Sequence, residues 1–366
     1  VSARARGLVD RTLSVLGATR AWWGARRKSE ALRWKIVAPC PAPKHDAAGV
    51  QIGARLYVVA GYTSIETVTP FVEVLDLERR RWVERIPLAD GVAHSHLAFA
   101  SDGERFIYLV SGQFGPRCAP SVRDAFVLDV TTRAWRPLPP LPEPRYAAAM
   151  QLWRGRLHVM GGSLPDRYTP SDSHWSLGVA GGEPAEPSWR EEPPIPRAVC
   201  HHAAAVVGDA LYLLGGQAGD FVAIPGSPIF ACEGRTRETY FPDVHRLGSP
   251  EAAWERRADM PVPVSHAEAA VVRIGSTLVL VGGQRFKDPQ TFELELTDAI
   301  QAYDTEADRW RIVGRLPYRV KTAVAATDRG WLYAVGGQRD RGAADPRPGA
   351  VIDHAWRARL PISPKP

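Results

Sequence analysis

One feature limits what this chain can fold into. A short apolar run ending in two small residues recurs six times, as LYVVAG, IYLVSG, LHVMGG, LYLLGG, LVLVGG and LYAVGG. The closing doublets are Ala60-Gly61, Ser111-Gly112, Gly161-Gly162, Gly215-Gly216, Gly282-Gly283 and Gly336-Gly337. Their second residues are spaced by 51, 50, 54, 67 and 54 positions. Such a period fits one four-stranded propeller blade per repeat. Glycine at the end of a second strand allows positive φ and close backbone approach.

A tryptophan follows each of the first five doublets, at Trp82, Trp135, Trp189, Trp254 and Trp310, and a Pro-rich turn follows each tryptophan. The indole offers a flat surface to pack against the next blade. Proline ends the outer strand before the chain crosses inward. The sixth doublet leads instead to AVIDHAWRARL, which reads like the third strand SDSHWSLGV of the third repeat, so Trp356 belongs on a third strand. The missing outer strand lies at the other end of the chain, in LRWKIVAPCPAPKH around Trp34. Pairing the two ends closes a six-bladed, all-β ring and removes its exposed edges. The blades then span about 47–86, 94–138, 146–192, 201–257, 267–313 and 322–360, the last completed by 32–38. Residues 1–31 form a basic arm or stalk, 32–360 the propeller and 361–366 a tail.

The formal net charge is +6, but arginine is scattered and there is no Asn. A nucleic-acid binder concentrates its charge on one face, so nucleic acid is not an expected partner. The four cysteines, Cys40, Cys118, Cys200 and Cys232, lack the CxxC spacing of a zinc site. Cys118 and Cys232 fall in long loops of one face, where either a disulfide or two free thiols is consistent with the spacing. No apolar run reaches the length that spans a bilayer. The chain opens at Val1, which leaves a membrane anchor upstream as an expectation. The Arg-rich start with Trp22 and Trp23 reads as a targeting remnant, a stalk, a docking helix or an unstructured arm.

In a propeller, the loops between strands two and three share a face with the links between blades. Those loops are long here: 62–70, 113–123, 163–172, 217–241, 284–298 and 338–349. The fourth, containing Asp220 and Phe221, far exceeds an ordinary hairpin loop and reads as a lid. Gln113, Gln217, Gln284 and Gln338 follow four of the doublets, with Arg339 after the last. Arg145, Tyr146, Arg197, Arg319 and Lys321 stand at the entrances of inner strands, and so do His94, His96, His201, His202 and His266, with Glu268 beside the last. This ring of amide, imidazole and guanidinium groups suits a polyol, a sugar acid or an acidic peptide. The plainer alternative is that the same groups bond only to water and to neighbouring loops. His94 and His96, two apart, would share one strand face, yet no further donor accompanies them, so no metal and no cofactor are expected.

The segments AHSHLAF, SGQFGPRC, PRYAAAMQLWRGRLHVMGGS, IPRAVCHHAAAVV, GGQAGDF, PGSPIFAC, LPYRVKT and GQRDRG resemble a plant-type kelch-repeat family of the galactose oxidase/kelch superfamily. That resemblance implies an N-terminal membrane anchor and a Golgi or secretory location. The copper oxidase's set of two Tyr, two His and a Cys–Tyr crosslink is not found here. A third reading is a cytosolic kelch adaptor, although the lack of a BTB, BACK or F-box region in this sequence counts against a ubiquitin-ligase adaptor. The expectation is a binding protein that takes a protein segment or glycan at the channel mouth. The alternative, by likeness to kelch-type sialic acid epimerases, is a sugar-acid isomerase or epimerase with Glu268 and His266 as its acid/base pair and Arg145 and Arg197 holding the carboxylate.

Overall fold

The computed structural model describes residues 32–117, 119–221 and 237–362. Every regular element among them is a β-strand. The first repeat is a meander of Ala48–Ile52, Arg55–Val59, Phe71–Asp76 and Arg81–Pro87. Five further sheets repeat its order. Their innermost strands are Ala98–Ser101, Ala149–Trp153, Ala203–Val207, Val271–Ile274 and Val324–Asp328. Each inner strand touches the next, and the sixth touches the first. Small residues, alanine above all, dominate where the six converge.

The ring closes as the sequence predicts. Lys35–Ile36 is the outer strand of the sixth sheet, with Lys35 opposite Arg357 and Ile36 opposite Trp356. Trp356 therefore lies on the third strand, Ala355–Arg359. The inner seam is sealed too: the Gln51 amide donates to Thr327 O at 2.8 Å and accepts from Thr327 N at 3.0 Å.

Five of the six outer-strand tryptophans, all but Trp254, differ from expectation in direction: their indoles bond to the preceding blade, not the next. The indole N–H of Trp82 donates to Ala38 O, Trp135 to Pro87 O, Trp189 to Pro139 O, Trp310 to Ala258 O and Trp34 to Arg315 O, all at 2.8–3.0 Å. Each acceptor lies at or just past the outer strand of the blade before. There the Pro-rich turn leaves carbonyls without ladder partners, and a buried indole N–H needs one.

The doublets make the forward link. The N–H groups of Gly61, Gly112, Gly162, Gly216, Gly283 and Gly337 donate to carbonyls of the next blade: His94, Arg145, Val199, Val264, Val320 and, across the closure, Lys44. The distances run from 2.6 to 3.0 Å. At Gly337, φ is 97° and a Cβ would stand 2.6 Å from Lys321 O. The first doublet position has a milder φ of 53° at Ala60 and 56° at Ser111, which is why those two residues are tolerated there.

Two alanine substitutions separate backbone strain from close approach. Gly53 has a φ of 56° but nothing within 4 Å of its would-be Cβ. Gly53→Ala should cost about 1 kcal/mol. Gly337→Ala adds the collision and the weakened closure bond, and should cost about 3 kcal/mol. Urea unfolding of both variants checks this, and equal losses would show that the close approach carries no weight.

Candidate functional site

One residue per blade, just before the inner strand, sits in the left-handed region: Asp46, His96, Ala147, His201, His266 and Thr322, with φ between 48° and 55°. From His96 onward each donates its N–H to the carbonyl of the equivalent residue one blade back, at 3.4, 3.0, 3.0, 3.1 and 2.9 Å. The residue before each pairs with the residue after a doublet, as Ser95 does with Gln113 and Cys200 with Gln217. The left-handed turn aims these side chains at the channel axis. Of the histidines placed together by sequence, only His96, His201 and His266 share this position. His94 lies two residues outside it, accepting from Gly115 N at 2.9 Å, and its ring lies 4.7 Å from Phe114. His202 turns into the core, fully buried. His94 and His96 do not share a strand face, because the positive φ at His96 breaks the alternation.

Charge organises the channel throat. His201 Nδ1 lies 2.7 Å from Glu268 Oε1, and its Nε2 lies 3.4 Å from Asp220 Oδ2. Burial alone would push this imidazole down. The carboxylates on both sides outweigh burial and raise it to about 9, so His201 is a cation at neutral pH. Burial likewise opposes the charge on Asp220, yet His201 and Arg167 hold its carboxyl well below the usual range. The His266 ring stacks on His201 at 3.7 Å. Burial, then the His201 and Lys321 charges, keep His266 neutral. His96 is pushed down to about 3 by burial, against the pull of Asp46, whose Oδ2 is 3.7 Å away. The space enclosed among Asp46, His96, His201, Glu268 and Thr322 is about 20 Å³, room for one water. A sugar ring does not fit there.

The remaining predicted residues sit around this throat with partners of their own. The Gln113 amide donates to Tyr62 OH and to Arg117 O, and it accepts from Arg167 Nη1 at 3.1 Å. Gln217 bonds Gly219 O and Ser265 Oγ, and Gln338 bonds Gly349 O. Gln284 takes a bond from Lys321 Nζ at 3.2 Å. These amides tie loops together. Tyr146 OH donates to Ala119 O, and its ring lies under the Arg167 guanidinium. Arg145 points away from the axis, onto Trp175 and Glu143. Arg197 lies on Phe241 and binds Asp243 at 2.6 Å; Arg319 binds Asp340 at 2.7 Å; Arg339 lies on Tyr318. Asp220 Oδ1 accepts from the Phe221 N–H, fixing the start of the long fourth loop. The pairing expectation for Cys118 and Cys232 lies outside the described residues. Among those described, no group of three or more His, Cys, Asp or Glu is arranged to hold a metal ion.

Sequence reasoning missed Asp46, Arg167, Glu238 and Lys287. Aligning the six segments that precede the inner strands puts Asp46 in one column with His96 and His201, so it was findable. Arg167 stands five residues after its doublet, as Arg117 does after the one before, and both have a positive φ, so the position recurs but its reach into the throat is not legible along the chain. Lys287 pairs with Glu238 at 2.5 Å between two loop ribbons, Gln217–Ala218 with Thr239–Tyr240 and Gln284–Lys287 with Leu294–Leu296. Neither ribbon is legible without the fold.

Above the throat the surface changes character. Ile65, Phe114, Tyr168, Phe221 and Phe286 are 46, 45, 36, 37 and 40 % exposed. Each comes from the strand-two-to-three loop of a different blade, the first through the fifth.

Six meanders, six glycine-doublet links and a closure between the two ends define a β-propeller of the kelch type. Residues 45–224 match the KLHDC2/KLHL20/DRC7 Kelch-repeats domain. A Kelch repeat-containing protein of Arabidopsis thaliana is 43% identical over 329 residues, covering 90% of this chain and 76% of that protein. Kelch-like protein 25 of Xenopus tropicalis is 23% identical over 306 residues, 79% of this chain and 44% of that protein. The chain thus spans less than half of the latter. The solved structure of YjhT superposes with a TM-score of 0.66 at 14% identity, covering 87% of this chain and 96% of that one, and supports the fold alone. The chain belongs to the kelch-repeat proteins.

The throat's charge state has a pH signature. A proton held more tightly in the folded protein stabilises it fully below the ordinary histidine pKa of about 6.5, and the effect fades as pH rises through 9. His201→Gln should therefore cost about 3 kcal/mol at pH 6 and clearly less at pH 10. Thermal melts of both proteins across that range check it. A pH-independent gap would contradict a charged His201.

Proposed function

We propose that this kelch propeller is a binding module that takes a protein segment across its loop face. The observation that carries the reading is the rim: five consecutive blades each leave one large apolar side chain in water, on one face. Only Ile36 and Val83 are exposed large apolar residues elsewhere among the described residues. Apolar residues gathered on one face of a soluble domain mark an interaction surface. Aromatic anchors of this kind dominate the energetics of protein contacts. The throat beneath supports the same reading. Its charged groups hold one another at 2.7–3.7 Å, and Asp46, His96, His201 and Glu268 enclose room for one water. It serves as a rigid floor that fixes the loop bases, while the rim makes the contacts.

Peptides selected on the immobilised protein, alongside a glycan array, test the proposal. A selected peptide should lose at least tenfold in affinity on combining Phe114→Ser with Phe286→Ser, a loss of about 1.4 kcal/mol or more. The thermal midpoint should not move, since both side chains are exposed. Peptides that bind the double variant equally well would refute the rim, and glycans alone binding would replace the protein ligand with a sugar.

A further inference from the structure

Among the described residues, a cation lying over an aromatic ring almost always also holds a carboxylate. Arg105 has Asp129, Arg136 has Glu183 and Lys287 has Glu238, and the rest follow suit. The exceptions converge on one indole. Lys35 Nζ, Arg357 Cζ and Arg359 Cζ lie 5.4, 4.1 and 5.0 Å from the centre of the Trp331 ring. Among the described residues, none of the three pairs with a carboxylate. Their remaining bonds go to neutral oxygens: Arg357 to Tyr333 OH at 3.5 Å, and Arg359 to Arg329 O at 3.2 Å. Of the nearby acids, Glu78 is held by Arg329, and Asp328, opposite Trp331 in the ladder, makes no ion pair with the cluster.

We propose that this cluster is an oxyanion site, and that its ligand is a phosphate group. Three like charges gathered on one ring repel one another, and an indole offsets only part of that repulsion. A carboxylate would balance one of them. A phosphate dianion balances two and presents three oxygens, matching two planar guanidinium forks and an ammonium. The site is built from three strands of the closing blade. Lys35 and Arg357 are register partners, and so are Trp331 and Arg359. It therefore exists only when the N-terminal strand is zipped into the sixth sheet. Trp331 begins its strand, at the end remote from the Gly336-Gly337 doublet, so the cluster lies away from the loop mouth. The proposal stands independently of the rim.

The test uses the intact chain at fixed ionic strength. One arm titrates inorganic phosphate by calorimetry. The other measures co-sedimentation with phosphatidylcholine vesicles carrying a phosphoinositide. Wild type should bind saturably in at least one arm. The Arg357→Gln/Arg359→Gln double variant should bind at least tenfold more weakly. Lys35→Gln should weaken binding to a lesser degree, and Arg136→Gln, whose cation already has its carboxylate, should change nothing. Binding of free phosphate assigns a soluble phosphate source; binding to vesicles alone assigns a lipid headgroup. Thermal midpoints of all variants confirm folding. Wild type silent in both arms, or a double variant that binds like wild type, overturns the proposal.

Discussion

The hydrogen bond from the second glycine of each doublet to a carbonyl of the next blade is the interaction on which the molecule depends. It recurs six times, the last crossing from Gly337 to Lys44 and so joining the two ends of the chain. Each donor glycine has a φ between 88° and 114°, and a Cβ there would collide with the lead-in to its own blade's inner strand, so only glycine sets the donor in that position. Five tryptophan indoles bind in the opposite sense, at every seam but the one between the third and fourth blades, where the Trp153 indole donates forward to Asp209 O. Every blade is thereby held on both flanks by directional bonds as well as by apolar packing. A ring held in this way has no free sheet edge at its seam.

The same bonds create the site. Pinning the chain beside each doublet turns the next residue into a left-handed conformation, and six such turns aim six side chains at one axis. Charged groups brought together there lose water and must find partners. Asp46, Arg167, Asp220, His201 and Glu268 do so, with the neutral His96 bridging Asp46 and Arg167, in one continuous chain of contacts. Because those groups hold one another, the proposed binding role falls to the rim above them. The closing blade shows the converse. Among the described residues its cations meet on Trp331 without acids to answer them, and the proposed oxyanion site rests on that imbalance.

How much of this was legible in the sequence follows from which contacts are local. The doublets, their period and the displaced strand at Trp34 were readable because each repeat states the same local rule. The looping role of Gln113 and Gln217 was within reach as an alternative, since an amide beside a turn bonds nearby backbone. The direction of the tryptophan bonds was not, because a flat side chain at an outer strand fits either neighbour equally well. Arg145 and Arg197 show the limit most clearly. Their position at the entrance of inner strands suggested ligand carboxylates, but in the fold they pair with Glu143 and Asp243.

The sequence by itself determined the number of blades and the closure, because periodicity and glycine chemistry are carried by each repeat separately. Only the tertiary structure decided which residues at the channel bear charge and which pair inward. It also decided that the exposed apolar side chains gather on one rim and the unpaired cations on one ring. Those outcomes depend on distances between residues of different blades, up to hundreds of positions apart, and desolvation at such meeting points has no counterpart along the chain.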